Sequence, residues 1–245
     1  MSNYFKDFPK VFYKFGSGEQ PVYFQKLSKY VDVVDTLKDR ISTYIEYEIR
    51  DFDRPDNLSN RLYGKPEYDW TFFLMNDRLR ETGWPMTQQD LYDYAVNKAY
   101  VGYVANLDVS TSDSAASYAS LISEGDTVIL IGGRTGSIEK LDLDNGQIYL
   151  TADSDLTSAV GTAMLVNDSL NVLLTSVVHE YNAVHHYIND SDEWVDFYSD
   201  EVVKVPITNL EHLVNENDKS KRIRLIKKEN IESIVSEFKR LTASN

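Results

Sequence analysis

The 245-residue sequence has no cysteine. That absence excludes a disulfide framework, thiolate zinc sites, iron–sulfur ligation and a cysteine nucleophile, and it fits assembly in a reducing cytoplasm. Long apolar runs are missing as well. Nowhere do 18 apolar residues follow one another, so no membrane-spanning helix and no membrane partner are expected. The opening Met1-Ser-Asn-Tyr-Phe-Lys-Asp-Phe-Pro9 carries charge where a signal peptide needs an apolar stretch. Positive charge is in short supply. Lys and Arg number 25 against 39 Asp and Glu, a formal charge of −14 and a pI near 4.7, which opposes nonspecific binding to nucleic acid. What remains is a globular composition, 42% apolar and 26% charged, long enough for one or two domains with real cores. Its 17 tyrosines, each with an apolar body and a polar tip, suit interfaces.

No catalytic constellation rises above background. His179, His185 and His186 lie close in sequence, with His212 apart. His179-Glu180 opens like a zinc-protease helix, but that motif requires a second histidine four residues on, where Ala183 stands. The surrounding Val, Thr and Tyr favour strand, so the histidines read as polar strand residues, although strand alternation allows His179 to approach His185. Gly132-Gly-Arg-Thr-Gly-Ser137 lacks the Lys-Ser/Thr pair of a phosphate loop and leads into a strand. Leu141-Asp-Leu-Asp-Asn-Gly146 has Leu at two calcium-ligand positions, and Gly16-Ser-Gly18 meets Pro21 and reads as a loop. No serine lies in a Gly-x-Ser-x-Gly elbow. The expectation is a chain that is not an enzyme, with no catalytic residue, cofactor or metal.

Along the chain, apolar residues at Val34, Leu37, Ile41, Tyr44, Ile45 and Ile49 follow a helical spacing. Pro55 suits the first turn of a second helix, which runs over Leu58 and Leu62-Tyr63 and stops at Gly64, the natural left-handed terminator. Pro66 restarts the chain into an apolar helix containing Trp70, Phe72, Phe73, Leu74 and Met75 and ending near Asn76. After Gly83-Trp84-Pro85, Thr87 with Asp90 marks another helix start. Residues 106–120 hold five serines and read as a linker. The period then changes. Thr127–Ile131 is a β-branched run, and Asn145-Gly146 between alternating segments signals a hairpin, so 121–152 reads as a small β module. Val172–Val178, His186–Ile188 and Trp194–Tyr198 continue as strands, with 189–193 as an acidic hairpin tip. Arg222–Ile226 reads as a strand, and Ile231, Ile234, Val235, Phe238 and Leu241 share one helical face. Residues 219–245 carry eight Lys/Arg against three Glu, a net +5 on a body of −19. That imbalance suits docking of the tail onto acidic surface or a solvated helix face.

The stretch from Tyr47 to Asn76 resembles a known family. Arg54-Pro55-Asp56-x-Leu58, then Leu62-Tyr63-Gly64-x-Pro66, Trp70, Leu74-Met75-Asn76 and the following Gly83-Trp84-Pro85 are similar to the small baseplate wedge protein of contractile-tailed bacteriophages, the T-even gene fifty-three product family. Asn215-Glu216-Asn217, the basic strand Lys221–Lys228 with Arg222 and Arg224, and the helix containing Phe238 look like that family's closing segment. The resemblance covers residues 8–105 and 208–242 and leaves 106–200 outside the family pattern. It implies a structural subunit of a tail baseplate wedge, joining wedges around the central hub during assembly. Other wedge proteins, a sheath-initiator-like subunit and neighbouring wedges are the implied partners, in six copies or a multiple of six, in a virion assembled in the host cytoplasm. A glycan- or peptidoglycan-binding, LysM-like tail protein is the alternative. The expected architecture is α+β: a helical wedge domain over 1–105, a Ser-rich linker over 106–120, a β-rich insertion over 121–205, and a strand and helix over 206–245 packing back on the body. Expected motif and interface residues are Arg54, Pro55, Leu58, Leu62, Tyr63, Gly64, Pro66, Trp70, Asn76, Trp84, Pro85, Arg222, Arg224 and Phe238. Trp70 is expected to plug the crevice between the Leu58–Tyr63 and Tyr68–Asn76 helices or, as the alternative, to project to a wedge partner.

Overall fold

The computed structural model describes residues 10–14, 20, 22–25, 44–109, 112–130, 132–157, 163–200 and 203–243. In chain order it runs β1 (Lys10–Tyr13), β2 (Val22–Gln25), β3 (Tyr44–Glu48), α1 (Pro55–Tyr63), a 3-10 turn (Pro66–Tyr68), α2 (Trp70–Met75), α3 (Asp77–Thr82) and α4 (Gln88–Tyr94). A π turn (Ala95–Ala99) leads to β4 (Tyr103–Leu107), α5 (Ser112–Ala119), β5 (Thr127–Leu130), β6 (Arg134–Asp142), β7 (Gln147–Thr151), β8 (Ala163–Val166) and β9 (Leu170–His179). A 3-10 turn (Glu180–Asn182), β10 (Val184–Ile188), β11 (Trp194–Val195), β12 (Val205–Thr208), α6 (Asn209–Lys219), β13 (Arg222–Ile226) and α7 (Ile231–Ala243) complete it. Two compact units result: Met1–Thr87 with Asn217–Asn245, and Gln88–Glu216. None of the described helices is long and apolar enough to cross a membrane.

The first unit is built from both flanks of the second. β3 pairs antiparallel with β13, Tyr44 opposite Ile226 and Glu48 opposite Arg222. Alternation in β13 buries Ile223 and Leu225 and exposes Arg222 and Arg224, as a half-buried strand requires. The buried face belongs to one core with α1, α2, α3 and α7, through Leu58, Tyr63, Phe72, Leu79, Ile231 and Val235. Ile231, Val235 and Phe238 share one face of α7, and Phe238 is 2% exposed. α1 starts with Pro55 in its first turn and ends at Gly64, whose φ of 75° is the left-handed terminator conformation and whose N–H donates to the Asn60 carbonyl at 2.9 Å.

The second unit contains a closed six-stranded antiparallel barrel in the order β4-β7-β6-β5-β8-β9, with β9 returning to β4. Its filling is aliphatic: Leu107, Val128, Leu130, Ile138, Ile148, Leu150, Met164, Val166, Val172 and Leu174, joined by Ile122 and Leu156 from connecting segments. Closure needs local bending, and the register shifts between Ile138 and Lys140 and between Asn106 and Leu107. Gly136 serves the same end: a Cβ there would lie 2.7 Å from the Thr151 carbonyl oxygen and 3.0 Å from Leu156 Cδ1. A separate three-stranded sheet, β11-β10-β12, completes the strands of this unit.

The expected architecture is corrected on these findings. Among the described residues the N-terminal region is not a helical domain: β1, β2 and β3 precede α1, and helix and strand are mixed. Tyr44–Glu48, read as the end of a helix, is a strand because its partner lies far down the chain at Arg222–Ile226, where a local periodicity count cannot see it. Residues 34–43 of that expected helix, and Gly16-Ser-Gly18, fall outside the described residues. The expected β module over 121–152 is part of a larger barrel that takes β4 from before it and β8 and β9 from after it. The Ser-rich stretch holds the end of β4 and the helix α5. At the Asn145-Gly146 hairpin only Gly146 has positive φ, 62°, because the turn is four residues long and Asp142 Oδ1 accepts the Asn145 N–H at 3.3 Å.

Candidate assembly interface

Most of the motif residues are used to hold the first unit together. Leu58 is fully buried. The Tyr63 hydroxyl donates to the Ile226 carbonyl at 2.8 Å, and burial pushes its pKa up to about 12, so it stays a donor. Trp70 lies over Phe238 of α7, ring centroids 4.4 Å apart, with its ring half-buried. Trp84 donates its indole N–H to the Asp53 carbonyl at 2.7 Å and packs its ring near Phe72 and Phe73 at 5.9 and 6.1 Å. Asn76 acts as a one-residue strand. Its Oδ1 accepts the Arg224 N–H at 2.8 Å, and its Nδ2 donates to the Arg224 carbonyl at 2.9 Å and to the Phe72 carbonyl at 2.7 Å. This explains why an amide is needed there: it supplies the donor and the acceptor that a neighbouring backbone would. Leu62, Pro55 and Pro85 are half-buried.

The remaining motif residues face outward. Arg54 is exposed and pairs with its neighbour Asp56 at 3.3 Å, while Pro66, Gly64, Arg222 and Arg224 are also exposed. Arg224 lies over the Tyr44 ring, 4.8 Å from its centroid. The basic segment makes a polar contact with the motif: Lys65 Nζ donates to Glu232 Oε1 at 2.6 Å, and Tyr68 donates to Glu232 Oε2 at 2.7 Å. That pairing raises the Lys65 pKa and lowers that of Glu232.

The residue that sequence reasoning missed is Phe52. It is 85% exposed and has φ of 70°, a conformation that bulky side chains rarely adopt. The turn that holds it is braced on both sides. The Asp53 N–H donates to the Arg50 carbonyl at 3.0 Å, and Asp53 Oδ2 accepts the Arg50 N–H at 3.1 Å and the Tyr47 hydroxyl at 2.7 Å. Arg61 Nη2 reaches Asp53 Oδ1 at 3.0 Å. Burial alone would push the Asp53 carboxyl up, but the Tyr47, Arg50 and Arg61 donors outweigh it and hold the pKa below its ordinary value. Tyr44 and Ile45, at 39% and 43% exposure, add apolar surface on β3. The only hint in sequence is an aromatic flanked by Asp51 and Asp53 in a breaker cluster.

The histidines are sorted differently from their order in sequence. His179 stands apart, between Tyr103 and Tyr181 with ring centroids at 5.1 and 5.2 Å. His185 and His186 instead meet His212 of α6. Burial first, then the nearby His212 and His186, lowers the His185 pKa.

Residues 21–129 match the family model described as base plate wedge protein 53, so this stretch of the chain is similar to the bacteriophage baseplate wedge family. The match runs past residue 105, where the resemblance seen in the sequence stops, and does not include the C-terminal segment. No curated protein matches the chain. That match supports a structural role in a phage tail baseplate, and with it a place in the virion tail.

Proposed function

We propose that the chain joins baseplate wedges around the central hub during tail assembly in the host cytoplasm, binding other wedge proteins, a sheath-initiator-like subunit and neighbouring wedges in six copies or a multiple of six. The observation that supports this reading is Phe52: an exposed aromatic, fixed in a strained turn, with Tyr44 and Ile45 also exposed on the strand that leads into it. Binding energy at interfaces concentrates in such aromatic anchors, and a braced anchor loses little entropy on docking. Arg54, Arg222 and Arg224 supply exposed donors near the same strand pair and helix start. The test separates assembly from stability. Phe52→Ala should melt close to the wild-type temperature, since it keeps the Cβ and removes an exposed ring with little packing, yet fail to enter wedges. Trp70→Ala should melt lower. Normal incorporation of Phe52→Ala would remove the anchor from this reading.

A further inference from the structure

We propose that His185, His186 and His212 form a binding site for one divalent transition-metal ion of the zinc type. Each ring offers one nitrogen, and the three nitrogens lie within 4.8 Å of one another. Adjacent residues of a regular strand point to opposite faces, so His185 and His186 should not meet. They do meet, with Nδ1 atoms 2.9 Å apart, where the pairing of β10 with β12 shifts register between Val184 and His186. A bulge re-aims side chains in this way and is a recurrent device beside functional sites. His212 arrives from α6, which follows directly on β12, and stacks on the His185 ring at 3.9 Å and 11°. Trp194 of β11 stacks on His186 at 4.0 Å and 12°, fixing that ring from its other neighbour in the sheet.

The donor set selects the ion. Three imidazoles suit zinc, copper or nickel and do not suit magnesium or calcium, which take oxygen ligands. Zinc–nitrogen bonds of about 2.0–2.1 Å at tetrahedral angles put ligand nitrogens about 3.3 Å apart. The His185–His186 pair is already inside that spacing, and rotation of the half-buried rings closes the rest. The fourth position falls to water, since the three side chains are only half-buried. A bound ion would tie β10 to α6 and so pin the β11-β10-β12 sheet to the helix after it.

Equilibrium dialysis of the untagged full chain against zinc sulfate tests this, with cobalt(II) absorption as the report of coordination. The expected result is one zinc per chain, cobalt d–d bands, and a rise in melting temperature with zinc. Since losing an outer-shell partner alone costs about 10–100-fold in affinity, His212→Gln and, separately, His186→Gln should each weaken zinc binding by at least about 100-fold. His179→Gln, outside the cluster, should bind like the wild type. Circular dichroism shows whether each variant is folded, and a folded variant that no longer responds to zinc supports the site. Zinc bound at less than one per chain, or binding unchanged in both folded His212→Gln and His186→Gln, overturns it.

Discussion

The first unit closes with segments from the two flanks of the chain, while the barrel of the second closes with segments that follow one another. β3 waits for β13 across the whole of the second unit, and their joint is packed by rings: Tyr63, Tyr68, Trp70, Phe72 and Trp84. The barrel strands all fall between Tyr103 and His179, and their filling is Val, Leu, Ile and Met. The polar wiring differs as well. In the first unit a few side chains, Asn76, Tyr63 and Glu232, replace backbone pairing between distant segments. In the barrel the strand ladders do that work. Aromatic packing and side-chain latches suit a joint made once between remote pieces, because each contact covers a large area from a single residue. An aliphatic barrel suits a contiguous piece, where alternation along each strand fills the interior unaided.

The largest test of this contrast is Phe238→Ala. It removes the ring under Trp70 and should cost the first unit about 3–5 kcal/mol. Replacing Lys239 and Arg240 by Ala should cost far less, because the Arg240–Glu237 pair is exposed and such pairs are each worth about 0–1 kcal/mol. Hydrogen exchange resolved along the chain reads both effects. Equal slowing lost across the barrel and the first unit would dissolve the distinction drawn above.

Two glycines sharpen it at intermediate size. Gly136→Ala drives a methyl against the Thr151 carbonyl and should cost about 1–3 kcal/mol, for reasons of space. Gly64→Ala meets no atom within 4 Å but inherits a φ of 75°, for about 1–2 kcal/mol. Asn tolerates the left-handed region, so Gly64→Asn should recover much of the loss and Gly136→Asn none. Thermal melts of the four variants check this, and matching rescue at both sites would refute the assignment.

The smallest effect is in acid. Asp53 has a folded pKa below its unfolded value, so its contribution is complete above the unfolded value of 3.8 and disappears as pH falls through the folded one. Between pH 5 and 3 the protection of α1 should therefore decline more in the wild type than in Asp53→Asn. A steeper decline in the variant would show that Tyr47 and Arg61 do not act through this carboxylate.

How much of this could be read in the sequence varied by element, for one physical reason. Helix α1 was legible because its limits are local chemistry, Pro55 at the start and Gly64 at the end. The 189–193 tip, where Asn189 Oδ1 accepts the Ser191 and Glu193 N–H groups, was legible for the same reason, and the strand Arg222–Ile226 through its alternating basic and apolar residues. β3 was misread as helix because its pairing is remote, and the barrel was seen only in part because closure is a property of six strands together. The meeting of His185, His186 and His212 was not legible, because a single register shift in β10 decides which faces His185 and His186 share and because His212 comes from another element.

The pairing of β3 with β13 also sets an order in time. A ribosome adding roughly 5–20 residues per second delivers Glu48 on the order of ten seconds before Arg222. Until then the edge of Tyr44–Glu48 has no partner from its own chain, and the motif helices have no sheet to rest on. A chain broken off after the barrel would hold a finished barrel and an unfinished wedge motif. Only molecules translated through Arg222–Ile226 can therefore form the strand pair that leads into the Phe52 turn.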